Sequence, residues 1–256
     1  MAEEALSLIT VGRAVADGWC AFVRGAVHGE AITLPFASLG MAGEAFVAMN
    51  EACVFGPEGA GEAVRHFAGR LRERGLPGMI TVLSTAAEEA APAAAELGLG
   101  DGGVASLMYV HATQARRIEH DFTVERVVDI YGVKEAAGVL NDAYDLPLDW
   151  CEGMLGPTFP SLQPADAFLA RHHGRALAVV CTGRVGAAVG IYAVGTRQAH
   201  RHRGAASAAL SAAVDHHLRT GAHVFTLTTE PATEPLYAAL GFAPVDHPQV
   251  WLVEVR

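Results

Sequence analysis

The spacing of apolar residues along the first half of the chain predicts alternating helices and strands. Residues 4–27 carry apolar side chains at helical spacing, and residues 60–74 place Val64, Phe67 and Leu71 on one face of a second helix. The strands are predicted where short apolar runs are bounded by glycine or proline. The remaining elements of this half are strands at residues 31–35, 45–55, 79–83 and 104–110 and an alanine-rich helix at residues 86–97.

The second half repeats this alternation after a polar, basic stretch at residues 112–120, which we interpret as a linker. Turns are predicted at residues 173–174 and 183–184, where glycine interrupts the apolar runs. The predicted elements are a strand at 123–130, helices at 133–144 and 147–155, strands at 167–172, 176–182 and 187–195, a helix at 204–219, a strand at 223–228, a helix at 234–240 and a strand at 250–255.

Composition narrows the class of protein. The 256 residues are 51% hydrophobic and 18% charged, which excludes disorder and suffices for one large or two small domains. A net charge of -10 without an extended basic face argues against nucleic acid as a partner. The chain starts with acidic residues, and it has no apolar run of membrane length. Its four cysteines have no paired spacing, so no metal motif is visible. Together these features favour a cytoplasmic protein outside the membrane.

The two halves can be laid over each other with one constant shift of 143 residues, which indicates an internal repeat. The order and type of the predicted elements agree under this shift. The matched pairs are Gly61 with Gly204, Phe67 with Leu210, Gly78 with Gly221, Pro92 with Pro235 and Gly98 with Gly241.

The differences between the halves separate their roles. Under the shift, Tyr237 lies opposite Ala94, and the charge of Arg201 is replaced by that of Glu58. Arg203 likewise lies opposite an alanine. We therefore expect a degenerate first domain over residues 1–118, which binds no phosphate, and a catalytic second domain over residues 119–256.

The strongest candidate for a ligand site follows the predicted strand at residues 187–195. A basic loop ends at Arg203, and Gly204 begins a helix whose first turn holds Ala205 and Ala206. The first N–H groups of a helix have no partner within it, and the helix dipole favours an anion there. Glycine and alanine let the backbone approach a ligand closely. The sequence therefore predicts a site for a small anion such as a pyrophosphate.

Two motifs together resemble the GNAT superfamily of acyl-CoA-dependent N-acetyltransferases. They are Arg-x-x-Gly-x-Ala at residues 201–206 and Tyr-x-x-x-Gly-Phe at residues 237–242. The resemblance covers residues 121–256, and it reaches the first half only through the repeat. It implies an α/β (α+β) fold of two mixed, mostly antiparallel sheets flanked by helices, like a tandem member of the superfamily. In the second sheet it implies a splayed strand pair that binds acyl-CoA.

The same resemblance implies where acetyl-CoA, as co-substrate, would bind. Pantetheine would pair like an added strand with the backbone of Val194 and Thr196. No metal is expected. The pyrophosphate would bind the backbone amides of Arg201, His202, Arg203, Gly204, Ala205 and Ala206.

Chemistry at this site needs a neutral amine and a proton for the leaving thiolate. A thiol has a pKa of about 8.5 and tyrosine one of about 10, so Tyr237 can serve as general acid. The predicted splayed strand carries no acidic residue, and Glu230 is the best candidate for a carboxylate near the site. Glu230 is equally interpreted as a turn residue before Pro231. Direct attack by a neutral amine that loses its protons to water also stays open.

The acceptor is expected to contact the helical segment at residues 133–156, where carboxylates have aromatic neighbours. Most of these side chains are individually typical of a solvated helix face. Adjacent histidines at positions 216 and 217 are expected to point apart and so not to share a metal ion. The candidate acceptor residues are Asp142, Tyr144, Asp145, Asp149, Trp150 and Glu152.

These features favour an N-acetyltransferase that acts on a small-molecule or peptide amine. A non-catalytic acyl-CoA-binding protein with a regulatory or assembly role is the alternative, supported by the missing acidic residue on the splayed strand. An interaction module without a ligand is disfavoured, because it would have no need for a basic loop in one half. The acceptor, the acyl chain length and the oligomeric state, including a homodimer, are left open.

Overall fold

The computed structural model of the chain describes residues 6–157, 159–161 and 165–255. Strands of this part of the chain form two mixed sheets of six and seven strands, flanked by helices. Each sheet contains one parallel pair, and its other neighbouring strands are antiparallel. The predicted fold class is therefore confirmed.

The first half contains three helices and six strands within the described residues, and the sixth strand is given below with the second half because it joins the second sheet. The predicted strand at residues 45–55 is a 3-10 turn at Val47–Met49 followed by a shorter strand. The strand at Ala37–Met41 was not predicted, because its short run contains Ser38 and Gly40 and glycine is depleted in strands. The elements are α1 (Leu8–Val23), β1 (Glu30–Leu34), β2 (Ala37–Met41), β3 (Asn50–Val54), α2 (Ala60–Glu73), β4 (Gly78–Val82), α3 (Ala87–Glu96) and β5 (Gly100–Val104).

The second half follows the predicted order with two corrections. The predicted strand at residues 104–110 spans the end of β5 and a new strand. The hairpin turn lies at residues 186–187, not at 183–184, which are part of a longer strand. The elements are β6 (Ser106–His111), β7 (Thr123–Arg126), α4 (Ile130–Tyr144), α5 (Leu148–Leu155), β8 (Ala165–His172), β9 (Arg175–Val185), β10 (Ala188–Thr196), α6 (Ala205–Arg219), β11 (Val224–Thr229), α7 (Glu234–Ala238), β12 (Ala243–Asp246) and β13 (Gln249–Val253).

Each sheet takes one strand from the other half of the chain. The first sheet has the order β1-β2-β3-β4-β13-β5, and the second has the order β12-β6-β11-β10-β9-β8-β7. The last strand, β13, thus lies between β4 and β5, and β6 lies between β11 and β12. Because both strands cross the predicted boundary between residues 118 and 119, the two-domain division stays a proposal.

The sheets match in order, but the constant shift misplaces some residues. Gly59 and Gly204 both adopt left-handed backbone conformations, with φ of 71° and 84°, immediately before α2 and α6. Gly61 lies inside α2, so its pairing with Gly204 is wrong. Gly98 and Gly241 both have positive φ after the next helix, as their pairing requires. Small differences in helix and turn length explain why no single shift aligns both regions.

Helix α1 lies between the two sheets and packs against β2, β9 and β10. The Trp19 indole donates a hydrogen bond of 2.9 Å to the Gly40 carbonyl oxygen, which anchors the helix on the first sheet. On the other side, a Cβ at Gly183 would lie 2.0 Å from the Gly18 carbonyl oxygen. Helix and strand therefore touch backbone to backbone, and α1 holds the sheets in one relative position. No helix in the described part of the chain has the length and apolar character needed to cross a membrane.

Candidate functional site

The second sheet opens where its parallel strand pair separates. Strands β10 and β11 pair from Ala188 beside Val224 to Gly190 beside Thr226. Beyond that point β10 continues along β9, and β11 continues along β6. The equivalent pair in the first sheet, β3 and β4, stays paired through the last residue of β3. Only the second of these two parallel pairs therefore leaves a gap for an added chain.

A bulge in β10 accompanies the gap. The register between β9 and β10 shifts between Tyr192 and Gly195, and Ala193 adopts a left-handed backbone with φ of 46°. Such a conformation costs an alanine on the order of 1–3 kcal/mol and persists only where packing enforces it. The Tyr192 hydroxyl donates to the carbonyl oxygen of Val15 in α1, which holds the bulge against the helix. The opening is therefore built into the packing of α1.

The gap forms one side of a cleft of about 1180 Å³ that lies between the second sheet and the first. Backbone and side chains of β10, the start of α6 and α7 line one wall. Residues of β3, β4, β5 and β13 line the opposite wall. The predicted residues that line this cleft are Val194, Thr196, Arg201, His202, Gly204, Ala205, Ala206, Glu230 and Tyr237.

The start of α6 faces the cleft with the geometry expected of an anion site. Gly204 precedes the helix, and no side chain of the described residues caps the first turn. The Arg201 guanidinium donates a 2.6 Å hydrogen bond to the Ala143 carbonyl oxygen at the end of α4, which keeps its charge at the cleft. Arg203 is exposed and does not belong to the lining residues of the cleft. The pyrophosphate site itself stays a prediction.

The strand edge that pantetheine would use is partly occupied by a side chain of the protein. The Tyr144 hydroxyl donates a 2.8 Å hydrogen bond to the Val194 carbonyl oxygen. Thr196 ends β10 beside the cleft. Because a carbonyl oxygen can accept two hydrogen bonds, a ligand that pairs with the Val194 carbonyl group either shares it with the Tyr144 hydroxyl or displaces that hydroxyl.

Tyr237 lies on α7 with only 7% of its surface exposed and contacts the edge of Phe242, with 6.1 Å between the ring centres. Burial raises the pKa of Tyr237, and a hydrogen bond with the Thr229 side chain acts in the opposite direction. The hydroxyl is therefore protonated near neutral pH and can donate to a ligand in the cleft. Glu230 is exposed and lines the cleft. It also precedes the short 3-10 turn at Pro231–Thr233. Its position therefore agrees both with a carboxylate near the site and with a turn residue before Pro231.

The segment at residues 133–156 contributes less to the cleft than its sequence predicts. Of its six candidate residues only Tyr144 lines the cleft. Asp142 instead accepts a 2.8 Å hydrogen bond from the Gln198 backbone N–H and another from Arg197. These hydrogen bonds lower the pKa of Asp142. Asp142 therefore positions the loop before α6, and the acceptor role of this segment stays a prediction to which Tyr144 alone of the six contributes a lining residue of the cleft.

The first sheet forms the wall that sequence reasoning assigned to the helices. Glu51 of β3 lies beside Met79 of β4 in the register of the sheet, and its carboxylate accepts a 3.1 Å hydrogen bond from the Thr81 hydroxyl. Burial raises the pKa of Glu51 to about 7 despite that hydrogen bond. The signal that could have found it is an isolated carboxylate before the apolar run of β3. The wall consists of Glu51, Met79, Thr81, Gly102, Val104, Val250 and Leu252.

A second cluster lies outside the cleft and contradicts one expectation. The ligand atoms of His216, His217 and Asp166 all lie within 4.8 Å of one another, so the adjacent histidines do converge. Burial lowers the pKa of His217 to about 4, so the imidazole is neutral near pH 7. His217 already pairs with the Thr182 hydroxyl at 2.9 Å, and Asp166 accepts a 2.8 Å hydrogen bond from Arg126. The cluster therefore acts as a buried hydrogen-bond network, and the expectation of no metal stays a prediction.

Comparison with known proteins agrees with this geometry. Residues 136–242 match the model of the Acetyltransferase (GNAT) family. No curated protein matches the sequence.

Solved structures resemble the fold over most of the chain. A GCN5-related N-acetyltransferase from Kribbella flavida shares 18% identity with a TM-score of 0.71, covering 97% of this chain and 96% of that one. One from Sphaerobacter thermophilus shares 16% identity with a TM-score of 0.59, covering 86% of this chain and 77% of that one. A tandem GNAT protein from the clavulanic acid biosynthesis pathway shares 14% identity with a TM-score of 0.55, covering 85% and 78%.

The solved structures share the fold, and the family match at residues 136–242 supports an acyl-CoA-dependent N-acyltransferase. Residues 136–242 are a domain of the GNAT acetyltransferase family, and the resemblance seen in the two sequence motifs is confirmed. Acetyl-CoA is the co-substrate of that family.

Proposed function

We propose that the protein transfers an acetyl group from acetyl-CoA to a primary amine of a small molecule or peptide, with Tyr237 as general acid. One observation carries this proposal. The separation of β10 from β11, the uncapped start of α6 and the protonated Tyr237 hydroxyl all face a single cleft. This combination supplies a binding edge, an anion site and a proton donor to one ligand.

The residues present fit acetyl-CoA in the second unit and oppose it in the first. Pantetheine extends along β10 at Val194 and Thr196, and the pyrophosphate accepts hydrogen bonds from backbone N–H groups at the start of α6. In the first unit, the cavity of about 420 Å³ at the start of α2 is lined by Glu58 and Glu62. These carboxylates repel a phosphate, and the closed pair of β3 and β4 offers no edge for pantetheine. The first unit is a degenerate copy in this proposal.

The reaction follows from the groups in the cleft. The amine nitrogen attacks the acetyl carbonyl carbon, a C–N bond forms, and the C–S bond breaks. The leaving sulfur takes the proton of the Tyr237 hydroxyl, and a proton of the attacking nitrogen restores the tyrosine. Glu230, at the exposed mouth of the cleft, is the sequence-based candidate for a carboxylate that helps to remove protons, and transfer directly to water is the alternative.

A second candidate function is acyl-CoA binding without catalysis, in a regulatory or assembly role. It is favoured by one observation, namely that β10 carries no carboxylate among the nine residues from Ala188 to Thr196. A protein of this kind would bind acetyl-CoA in the same cleft but would release no thiol when an amine is added.

Thiol release from acetyl-CoA distinguishes the two functions. The full chain is mixed with acetyl-CoA and, in turn, n-butylamine, putrescine, tyramine, glucosamine and a lysine-containing peptide. We expect amine-dependent release of CoA thiol with at least one of them, because the cleft presents both a proton donor and an open wall. Calorimetric binding of acetyl-CoA without release for any amine would support the non-catalytic alternative. Failure to bind acetyl-CoA would contradict both functions.

Ala206→Asp is expected to raise the Kd for CoA at least tenfold while the protein stays folded. A carboxylate in the first turn of α6 interacts favourably with the helix dipole, so the helix itself is not weakened. The same charge repels a pyrophosphate at the helix start, and a tenfold loss corresponds to about 1.4 kcal/mol. Ala206→Asn is the matched neutral control, and we expect its Kd within about threefold of the wild-type value. Equal affinities of the two variants in calorimetry would argue against a pyrophosphate at this position.

A further inference from the structure

We propose that Glu51, contributed by the first sheet, is the catalytic base that takes a proton from the ammonium group of the acceptor. The inference rests on the proposed acetyl transfer and gives the degenerate half of the chain a part in the reaction. It also defines the acceptor as a small primary amine that enters as a cation and has an apolar portion.

One face of the first sheet is covered by α2 and α3, and the other face packs partly against α1 and partly borders the cleft. Ala52, Val54 and Ile80 point into the core that contains α2 and α3. Glu51 and Met79 alternate with these residues, so they point to the opposite face, where they line the cleft. The face therefore carries a carboxylate next to the place where the second sheet opens.

Glu51 has no cationic partner among the described residues, although it lies in the wall of the cleft. Glu30 pairs with both Arg70 and Arg74, as surface carboxylates of this protein often do. Glu51 has only the Thr81 hydroxyl at 3.1 Å as a hydrogen-bond partner in the described part of the chain. Among the described residues that line the cleft, Glu51 and Glu230 are the only carboxylates, and only Glu230 is exposed. A cation that enters the cleft therefore meets an unpaired, largely buried carboxylate at Glu51.

The position of Glu51 corresponds to the reactive end of the co-substrate. The pyrophosphate binds at the start of α6, beyond the end of β10, so the chain of pantetheine runs back along β10 toward the closed end of the gap. Tyr192 lies in that direction, two residues before Val194. Glu51 and Tyr192 line the same small void beside α1, which places the Glu51 side chain next to this part of β10.

The surroundings of Glu51 favour proton exchange near neutral pH. Burial raises the pKa of Glu51 to about 7. Near neutral pH about half of the carboxylate is therefore ionised, and the ionised form can still accept a proton readily. The other titratable groups near it are Asp17 and Cys20 of α1, Cys53 of β3 and Tyr192 of β10. Burial raises the pKa of both thiols and of the tyrosine, so these three groups are neutral when Glu51 titrates.

The wall around Glu51 indicates what kind of amine fits. Met79 on the adjacent strand and Val250 and Leu252 on the strand beyond it line the same wall, which offers apolar surface and no charge there. An amine with an aliphatic or aromatic portion can bury that portion there while its ammonium group faces Glu51. An acceptor whose body is strongly anionic would meet two carboxylates in the cleft and is disfavoured.

The proton balance of the reaction is complete with these groups. Glu51 takes one proton from the ammonium group, and the free nitrogen lone pair attacks the acetyl carbonyl carbon. The C–S bond breaks, and Tyr237 gives its proton to sulfur. The second nitrogen proton restores Tyr237, and Glu51 releases its proton to water. The net change is an amide, CoA thiol and one proton from an ammonium ion and acetyl-CoA.

Glu51→Gln tests the inference through the pH profile of kcat/KM for n-butylamine. In the wild type, we expect kcat/KM to rise with pH and to level off above about pH 7, so that the profile bends there, because the Glu51 carboxylate must be ionised. In the variant, kcat/KM at pH 7 should fall by roughly 10²- to 10³-fold, and the bend should disappear. The loss should shrink to less than about tenfold for 2,2,2-trifluoroethylamine, a weakly basic amine that is already neutral and needs no base. The Kd for acetyl-CoA should be unchanged.

Two further variants keep the test independent of folding. Glu88→Gln is the matched control, because Glu88 is exposed on α3 and does not line the cleft, and its profile should keep the wild-type bend. Thr81→Val removes the hydrogen bond that lowers the pKa of Glu51, so its bend should move to higher pH. A wild-type profile in Glu51→Gln, or an unmoved bend in Thr81→Val, would overturn the role of Glu51 while acetyl transfer itself stands. Absence of transfer by the wild type to any amine would overturn the proposed function and this inference together.

Discussion

Replacement of Tyr237 by phenylalanine is expected to lower kcat for acetyl transfer by roughly 10²- to 10³-fold at pH 7. In the proposed reaction the hydroxyl donates the proton to the leaving sulfur, and burial raises its pKa so that it stays protonated through neutral pH. The substitution removes one oxygen and keeps the ring, so the contact with Phe242 and the packing of α7 are preserved. The Kd for acetyl-CoA should therefore change by less than about twofold, which separates a loss of chemistry from a loss of binding.

The measurement compares steady-state thiol release with calorimetric binding for the same variant. Tyr131→Phe is a suitable control, because Tyr131 is 76% exposed at the start of α4 and does not line the cleft. It should behave as wild type in both assays. An unchanged kcat in Tyr237→Phe would exclude this tyrosine as the general acid and leave water as the proton source. A proportional loss of acetyl-CoA affinity would instead indicate a role in binding.

Removal of β13 is expected to abolish the folded state of the whole chain. A chain that ends at Asp246 lacks the strand that lies between β4 and β5, so β5 loses its strand partner in the first sheet and β4 keeps only β3. The buried side chains of Val250 and Val253 are lost as well. Proteins have a total stability of roughly 5–15 kcal/mol, and the loss of a central strand is comparable to that total. The two exposed strand edges would also promote aggregation.

A chain that ends at Glu254 is the matched control, since it keeps β13 whole and should unfold like the wild type. Thermal unfolding followed by circular dichroism gives the comparison, and acetyl-CoA calorimetry reports on the second sheet. We expect the shorter chain to show no cooperative transition and no binding, because α1 couples the first sheet to β9 and β10. A cooperative transition with wild-type acetyl-CoA affinity in the shorter chain would show that the second sheet is independent of β13.

The site illustrates which features can be predicted from a sequence. The residues of the proposed anion site lie within six consecutive positions, so a local motif contains most of the geometry, including the left-handed Gly204 before α6. Tyr237 follows at the end of the next strand–helix unit, and its distance along the chain is set by regular elements. Glu51 has no such local context, because its importance comes from a wall that four strands form together. No spacing in the sequence relates Glu51 to Tyr237.

The strand pairing shows the same limit for the fold. The sequence predicts β13 as an apolar strand near the end of the chain, but nothing in its composition indicates that it pairs with β4 and β5. The predicted boundary after residue 118 assumes that strands pair with their neighbours along the chain. Instead β6 and β13 each lie in the sheet of the other half, because each completes a sheet whose two flanking strands need a partner.

The sequence by itself determined the helices and most strands, the loop proposed to bind an anion and the family of residues 136–242, because apolar periodicity, turn residues and short motifs act over a few neighbouring residues. It also indicated that the two halves share one order of elements. Only the tertiary structure decided which strands pair, that α1 joins the sheets, and that Glu51 of the degenerate half faces the cleft. These features depend on contacts between residues far apart in the chain, and such contacts form only when the whole core is packed.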